Sequence, residues 1–162
     1  MLAQNTECHI INTSSSAGLI VGGGSAPYAV TKHAVVALSE SLYLSLQQRN
    51  SLIKVSVLCP GLVRTNIVNA ESHRPSELRN DPVAMTPEMQ AGLAAFRALM
   101  EAAMPPLQVA DAVFDAIREE QFYVLPHPEW TEVILLRTDE LLRMENPQNP
   151  AATVAKLMTL RG

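Results

Sequence analysis

Basic charge is nowhere concentrated in this 162-residue chain: twelve Lys and Arg are scattered among sixteen Asp and Glu, for a formal net charge of −4. Nucleic acid is therefore not expected as a partner, since it calls for a clustered basic surface. No apolar run approaches the length that spans a bilayer, so no membrane partner is expected either. The opening residues, Met1 to Glu7, lack the basic region and apolar core of a signal peptide. A soluble cytoplasmic protein is the expectation. Cysteine is scarce. Cys8 and Cys59 make no disulfide framework and have no C-x-x-C spacing; both read as buried small apolar residues. His9, His33, His73 and His127 are dispersed without the short spacings of a zinc site, and read as surface or packing histidines. A G-x-S-x-G elbow is missing, so a serine hydrolase using Ser15 or Ser25 has little support. Asn12-Thr13-Ser14 matches the glycosylation sequon, but without a secretion signal it reads as chance.

What is present suits one packed domain. Apolar residues make up 48% of the chain, enough for a core and too many for disorder. Cys8 to Asn12 reads as a short strand ending in serines. Gly22-Gly23-Gly24 marks a flexible loop. Ser25 suits an N-cap, with Pro27 in the first turn of a helix from about Tyr28 to Gln48. Ala34, Ala37, Ser41 and Ser45 give that helix a small-residue side, suited to close packing on a sheet or another helix. Ile53 to Leu58 reads as a second strand, closed by Pro60-Gly61. Residues 66–87 are polar and interrupted by Pro75, Pro82 and Pro87. A helix is expected from Pro87 to about Ala103, and an amphipathic one from Leu107 to Glu120 with Val109, Ala112, Val113, Ala116 and Ile117 at helical spacing. Phe122 to Leu125 reads as a third strand and Thr131 to Met144 as a last helix. This alternation predicts a parallel α/β sheet, with at least one edge exposed or covered by a partner.

Tyr28-Ala29-Val30-Thr31-Lys32 is the stretch richest in chemistry. Residues four apart share one helix face. At that distance an ammonium favours the phenolate, which suits a tyrosine for general acid or base work. Upstream lies Ile10-Ile11-Asn12-Thr13-Ser14-Ser15-Ser16-Ala17-Gly18, with Ser15 thirteen residues before Tyr28. Downstream lies Cys59-Pro60-Gly61-Leu62-Val63-Arg64-Thr65. In that order these segments resemble the short-chain dehydrogenase/reductase family.

The resemblance implies an α/β fold: the C-terminal part of a Rossmann-type doubly wound parallel sheet, with three strands and flanking helices. It implies an oxidoreductase that moves a hydride between NAD or NADP and a small alcohol or carbonyl substrate. Tyr28 would exchange the proton of the substrate oxygen. Lys32 would tune Tyr28 and hydrogen-bond the nicotinamide ribose. Ser15 would donate a hydrogen bond to the same substrate oxygen. Pro60, Gly61, Val63 and Thr65 would line the nicotinamide pocket, with Thr65 near the carboxamide, and residues 66–87 would form the variable substrate loop. The helix over residues 28–48 would form a homo-oligomer contact.

The family's pyrophosphate-binding T-G-x-x-x-G-x-G turn, its N-N-A-G motif and its helical asparagine have no counterpart here. Gly22-Gly23-Gly24 has neither the spacing nor a preceding strand to serve instead. The chain is therefore expected to be a partial domain without the Gly-rich cofactor half, and to bind nicotinamide cofactors weakly or not at all by itself. A natural short form that pairs with another chain, acting as a non-catalytic interaction module, is the alternative.

Overall fold

The computed structural model describes residues 1–22, 26–79, 84–150 and 152–155. The chain divides into two compact units, residues 1–61 with 111–162, and residues 62–110.

The first unit is built on a parallel three-stranded sheet. Strands β1 (Cys8–Thr13), β2 (Ile53–Leu58) and β3 (Tyr123–Val124) lie in the order β1-β2-β3. Cys8 faces Ile53 and Thr13 faces Leu58 across one ladder, and Val57 faces Tyr123 across the other. Helix α1 (Ala26–Gln48) crosses from β1 to β2 and packs on the sheet. Side chains alternate along a strand, so Ile53, Val55 and Val57 point together toward α1. There they meet Val36 and Leu46, with Cys8, Ile10, Leu42 and Phe122 around them. Val57 is fully buried, and removing such a side chain from water contributes about 1.5–3 kcal/mol. On the opposite face of β2, beside the buried Leu58, Ser56 is satisfied: it donates to the Gln121 carbonyl at 2.6 Å and pairs with His9 Nε2 at 2.7 Å.

Helix α1 runs 23 residues because no Gly or Pro interrupts it after its first turn. It stops where Asn50 turns left-handed at φ 49° and the Ser51 N–H reaches back to the Leu46 carbonyl. Of the two partners that suit the small-residue side, a sheet or another helix, the sheet is not the one it meets. Ala34, Ala37, Ser41 and Ser45 are exposed, and the sheet-facing stripe is Val36, Ser39 and Leu46. Apolar bulk decided the phase, since Val36 and Leu46 gain more from burial than Ala or Ser. The expected cap Ser25 and the glycines Gly23 and Gly24 lie outside the described residues. Helix α4 (Thr131–Arg143) completes this unit and packs Val133 against Ile20, with Trp130 and Ile134 beside them.

The second unit holds helix α2 (Pro87–Glu101) and the start of helix α3 (Pro106–Arg118). Thr86 caps α2 by accepting from the Met89 N–H at 3.3 Å, with Pro87 at the first helical position. Val63 makes a parallel bridge to Met104. The polar stretch expected to be irregular contains two short 3-10 segments, Asn66–His73 and Ser76–Leu78; Pro82 lies outside the described residues. Among the described residues no helix is long and apolar enough to cross a membrane.

Candidate functional site

The end of β1 gathers most of the residues singled out from the sequence. Its last residues, Asn12 and Thr13, lead into Ser14, Ser15 and a 3-10 turn over Ser16–Gly18. Ser15 caps that turn, its hydroxyl accepting from the Ala17 N–H at 3.2 Å. Ser14 is buried, and its hydroxyl donates to the main-chain carbonyl of Lys32 at 2.8 Å. Lys32 answers in the other direction: its ammonium donates to the Thr13 carbonyl at 3.4 Å. Strand end and helix are thus tied twice.

Tyr28 stands one turn before Lys32 on α1 and is about half exposed. The Lys32 ammonium lies 5.7 Å from the centre of its ring. Gly18 allows this approach of turn to helix. A Cβ there would fall 2.3 Å from Ser14 Oγ and 2.8 Å from the Lys32 carbonyl oxygen. One side chain further along β1's face, Asn12 Nδ2 donates to Ser39 Oγ at 3.0 Å, and Ser39 donates to the Val35 carbonyl. The strand end is therefore held to α1 at three successive heights.

The end of β2 joins the same cluster. The Pro60 carbonyl accepts from the Ser16 N–H at 2.8 Å and, more weakly, from Ser15 Oγ at 3.5 Å. Gly61 donates its N–H to His127 Nδ1 at 3.1 Å. Within the first unit Tyr28 thus neighbours Lys32, Lys32 reaches the end of β1, and Ser15 just beyond that end meets Pro60 of the Pro60–Gly61 peptide. Val63 and Thr65 belong to the second unit, where Thr65 is exposed at the start of the Asn66–His73 segment.

Cys59 borders the cluster and is buried, as the sequence suggested; Cys8 is half-buried. Burial pushes the Cys59 thiol up to about 11, against a smaller opposing effect from the Ser14 hydrogen bond. It is neutral at ordinary pH and inert as a nucleophile. Tyr123, beyond the cluster, donates to Glu40 at 2.6 Å, and that bond, with burial second, raises its phenol to about 12. Among the described residues no cluster of His, Cys, Asp and Glu could hold a metal ion.

Three residues of the cluster have no functional role in the sequence reading. Gly18 acts through the space it leaves. His127 and Trp130 pack against Gly61; of the two readings of His127, surface or packing, it is the packing one, at 3% exposed. A histidine between two prolines, Pro126-His127-Pro128, was the signal available.

Comparison with known proteins places these features in a family context. Residues 1–76 match the family model for short chain dehydrogenase. The chain is 33% identical over 136 residues to a CLA biosynthesis dehydrogenase/reductase of Lactiplantibacillus plantarum, covering 83% of this chain and 48% of that protein. It is 44% identical over 68 residues to a 1-deoxy-11-beta-hydroxypentalenate dehydrogenase of Streptomyces exfoliatus, covering 42% of this chain and 24% of that protein. Among solved structures, a short chain dehydrogenase/reductase from Burkholderia phymatum in complex with NAD superposes with a TM-score of 0.80 at 38% identity. That match covers 93% of this chain and 53% of the other. The chain thus spans about half the length, or less, of the relatives it matches.

Proposed function

This chain belongs to the short-chain dehydrogenase/reductase family, and we propose that its residues form the proton-transfer end of a site for reversible hydride transfer between NAD or NADP and a small alcohol or carbonyl. In this reading it is the C-terminal part of the family's domain and works in the cytoplasm. When bound, the nicotinamide cofactor supplies or accepts the hydride. Tyr28 gives the substrate oxygen its proton in reduction and takes it back in oxidation. Ser15 donates a hydrogen bond to that oxygen and so stabilises charge developing there. Lys32 would hold the nicotinamide ribose, and Pro60 and Gly61 would line the nicotinamide end of the site; Val63 and Thr65 keep the role that the family resemblance implies for them.

What supports the reading is one cluster: a half-exposed Tyr28, an ammonium 5.7 Å from its ring, and two serines fixed at the strand end that this ammonium reaches. The donor set suits the ribose end of the cofactor. An ammonium carries three N–H donors, and among the described residues Lys32 engages one, with the Thr13 carbonyl. The pyrophosphate end is different, because this sequence has no Gly-rich phosphate turn. Binding of NADH or NADPH by this chain alone is therefore expected to be weak, and a tight fluorescence titration would contradict that.

The outward side of α1 supports self-association. Val30 and Leu38 are 68% and 64% exposed on the side that carries the small Ala34, Ala37 and Ser41, so a second helix could approach closely. The test of the catalytic reading is Tyr28→Phe in a form of the protein that turns over. Loss of the general acid is expected to lower kcat by roughly 10²–10⁴-fold. Full activity in that variant would rule out Tyr28 as the proton donor.

A further inference from the structure

We infer that His127 is a positioning residue: it fixes the orientation of the Pro60–Gly61 peptide and, through it, the placement of Ser15 and Ser16. The functional meaning rests on the reading of Ser15 given above; the geometry does not. A trans peptide carries its C=O and the following N–H on opposite sides of one rigid plane, and the described residues contain no cis bond. The Gly61 N–H of that plane donates to His127 Nδ1 at 3.1 Å. The Pro60 C=O of the same plane accepts from the Ser16 N–H at 2.8 Å and from Ser15 Oγ at 3.5 Å. One plate is therefore gripped on both sides, by a histidine on one and by the serine turn on the other. Rotation of the plate would break both grips together.

The histidine is itself held. The Cys59 N–H bonds the Val124 carbonyl at 2.9 Å, which sets β3's continuation beside the end of β2. Pro126 and Pro128 flank His127 and fix their own φ. The Trp130 N–H bonds the His127 carbonyl at 3.1 Å. A backbone N–H can only donate, so Nδ1 accepts and carries no proton, and a neutral ring keeps its hydrogen on Nε2. The ring approach also requires Gly61, because a Cβ there would fall 2.7 Å from Trp130 Nε1 and 3.1 Å from the His127 ring.

The experiment is nuclear magnetic resonance on the whole chain, and it needs neither cofactor nor turnover. In the wild type a scalar coupling between the Gly61 amide nitrogen and His127 Nδ1 is expected; its absence overturns the assignment. In His127→Leu, exchange of the Ser16 amide should accelerate by roughly tenfold, the equivalent of one hydrogen bond. The Val57 amide, bonded to the Phe122 carbonyl at 2.7 Å, should keep its wild-type rate. His127→Asn, whose Oδ1 can take the acceptor's place, should restore Ser16 protection. Equal acceleration at Ser16 and Val57, or none at Ser16, overturns the inference. If His127→Leu fails to fold, His127→Asn decides with the wild-type coupling: Ser16 protection retained supports the inference, and protection lost refutes it. A failure of the Tyr28→Phe test would leave these outcomes untouched, so the two readings fail separately.

Discussion

Gly18→Ala should be among the most damaging single-methyl additions in this protein. The new Cβ would lie 2.3 Å from Ser14 Oγ, 2.8 Å from the Lys32 carbonyl oxygen and 3.0 Å from Val36 Cγ2. The second neighbour is backbone inside a 23-residue helix and cannot swing aside. Ser14 can move only by giving up its 2.8 Å hydrogen bond to that same carbonyl. Leaving a buried polar group unpaired costs about 1–3 kcal/mol. Forcing a methyl into a packed contact costs a further ~1–3 kcal/mol. Against this, the alanine removes about 0.4–1 kcal/mol of unfolded-state freedom. The net expectation is a destabilisation of about 1–5.5 kcal/mol, a large part of what holds a typical domain together. Urea unfolding measures it directly, with Gly92→Ala as control. Gly92 lies inside α2, where a Cβ would have no neighbour within 4 Å, so that change should stabilise by about 0.5–1 kcal/mol. Combining Gly18→Ala with Ser14→Ala removes the closest contact. The pair should therefore be less destabilised than the sum of its parts, by about 0.5–3 kcal/mol. A Gly18→Ala midpoint equal to the wild type would refute the claim that the turn and α1 meet this closely.

Three other measurements bear on separate parts of the structure. Cys59, held up at about 11 mainly by burial, should have a thiolate fraction at pH 8 roughly a hundredfold below that of an ordinary thiol. Iodoacetamide followed by mass spectrometry should therefore label Cys8 well before Cys59, and equal rates would argue against a buried Cys59. The His9 imidazole sits below its ordinary 6.5 chiefly because of burial, with Glu120 opposing and Lys54 adding to the shift. As pH falls below about 6.5 the unfolded chain takes up this proton first, so stability drops until the folded pKa is passed. His9→Gln should flatten that acid-side slope in urea midpoints, and an unchanged slope would remove His9 as its source. If α1 carries the self-contact proposed above, Leu38→Glu, at a position 64% exposed on that helix, should lower the oligomeric state seen by light scattering, and the apparent melting temperature should fall with the lost assembly. An assembly that persists would place the self-contact elsewhere.

The strand and helix order was legible because each element carries its own local signal. Ile53 to Leu58 places Ile53, Val55 and Val57 at every second position up to a Pro-Gly stop, and strand β2 occupies those same residues. Between Pro27 and Gln48 nothing breaks a helix, and α1 continues to Gln48. The phase of α1 was less legible. Ala34, Ala37, Ser41 and Ser45 form a regular stripe, but small size says only that something can come close, not what. The Gly61–His127 bond was not legible at all, because it joins residues 66 apart. It depends on β3 lying beside β2 in the register Leu58 to Val124, which no local pattern encodes. Thr65 had a motif position in the sequence, yet it falls in a separate compact unit from Tyr28.

The three consecutive serines show how far hydrogen bonding can discriminate where spacing alone had to choose. Ser14 is buried and its proton is committed to the Lys32 carbonyl at 2.8 Å; giving it to a substrate would loosen α1 from β1. Ser16 contributes its main-chain N–H, donated to Pro60 at 2.8 Å. Ser15 accepts from the Ala17 N–H at 3.2 Å, which fixes its oxygen. Its proton meets the Pro60 carbonyl only at 3.5 Å, a bond at the weak limit of the geometry. A substrate oxygen at ordinary hydrogen-bond distance would outcompete that contact with little rearrangement, because the acceptor bond that orients the hydroxyl stays in place. The choice of Ser15 therefore has a physical basis apart from its thirteen-residue spacing to Tyr28. The same basis makes its placement depend on the Pro60–Gly61 plate that His127 grips from the far side.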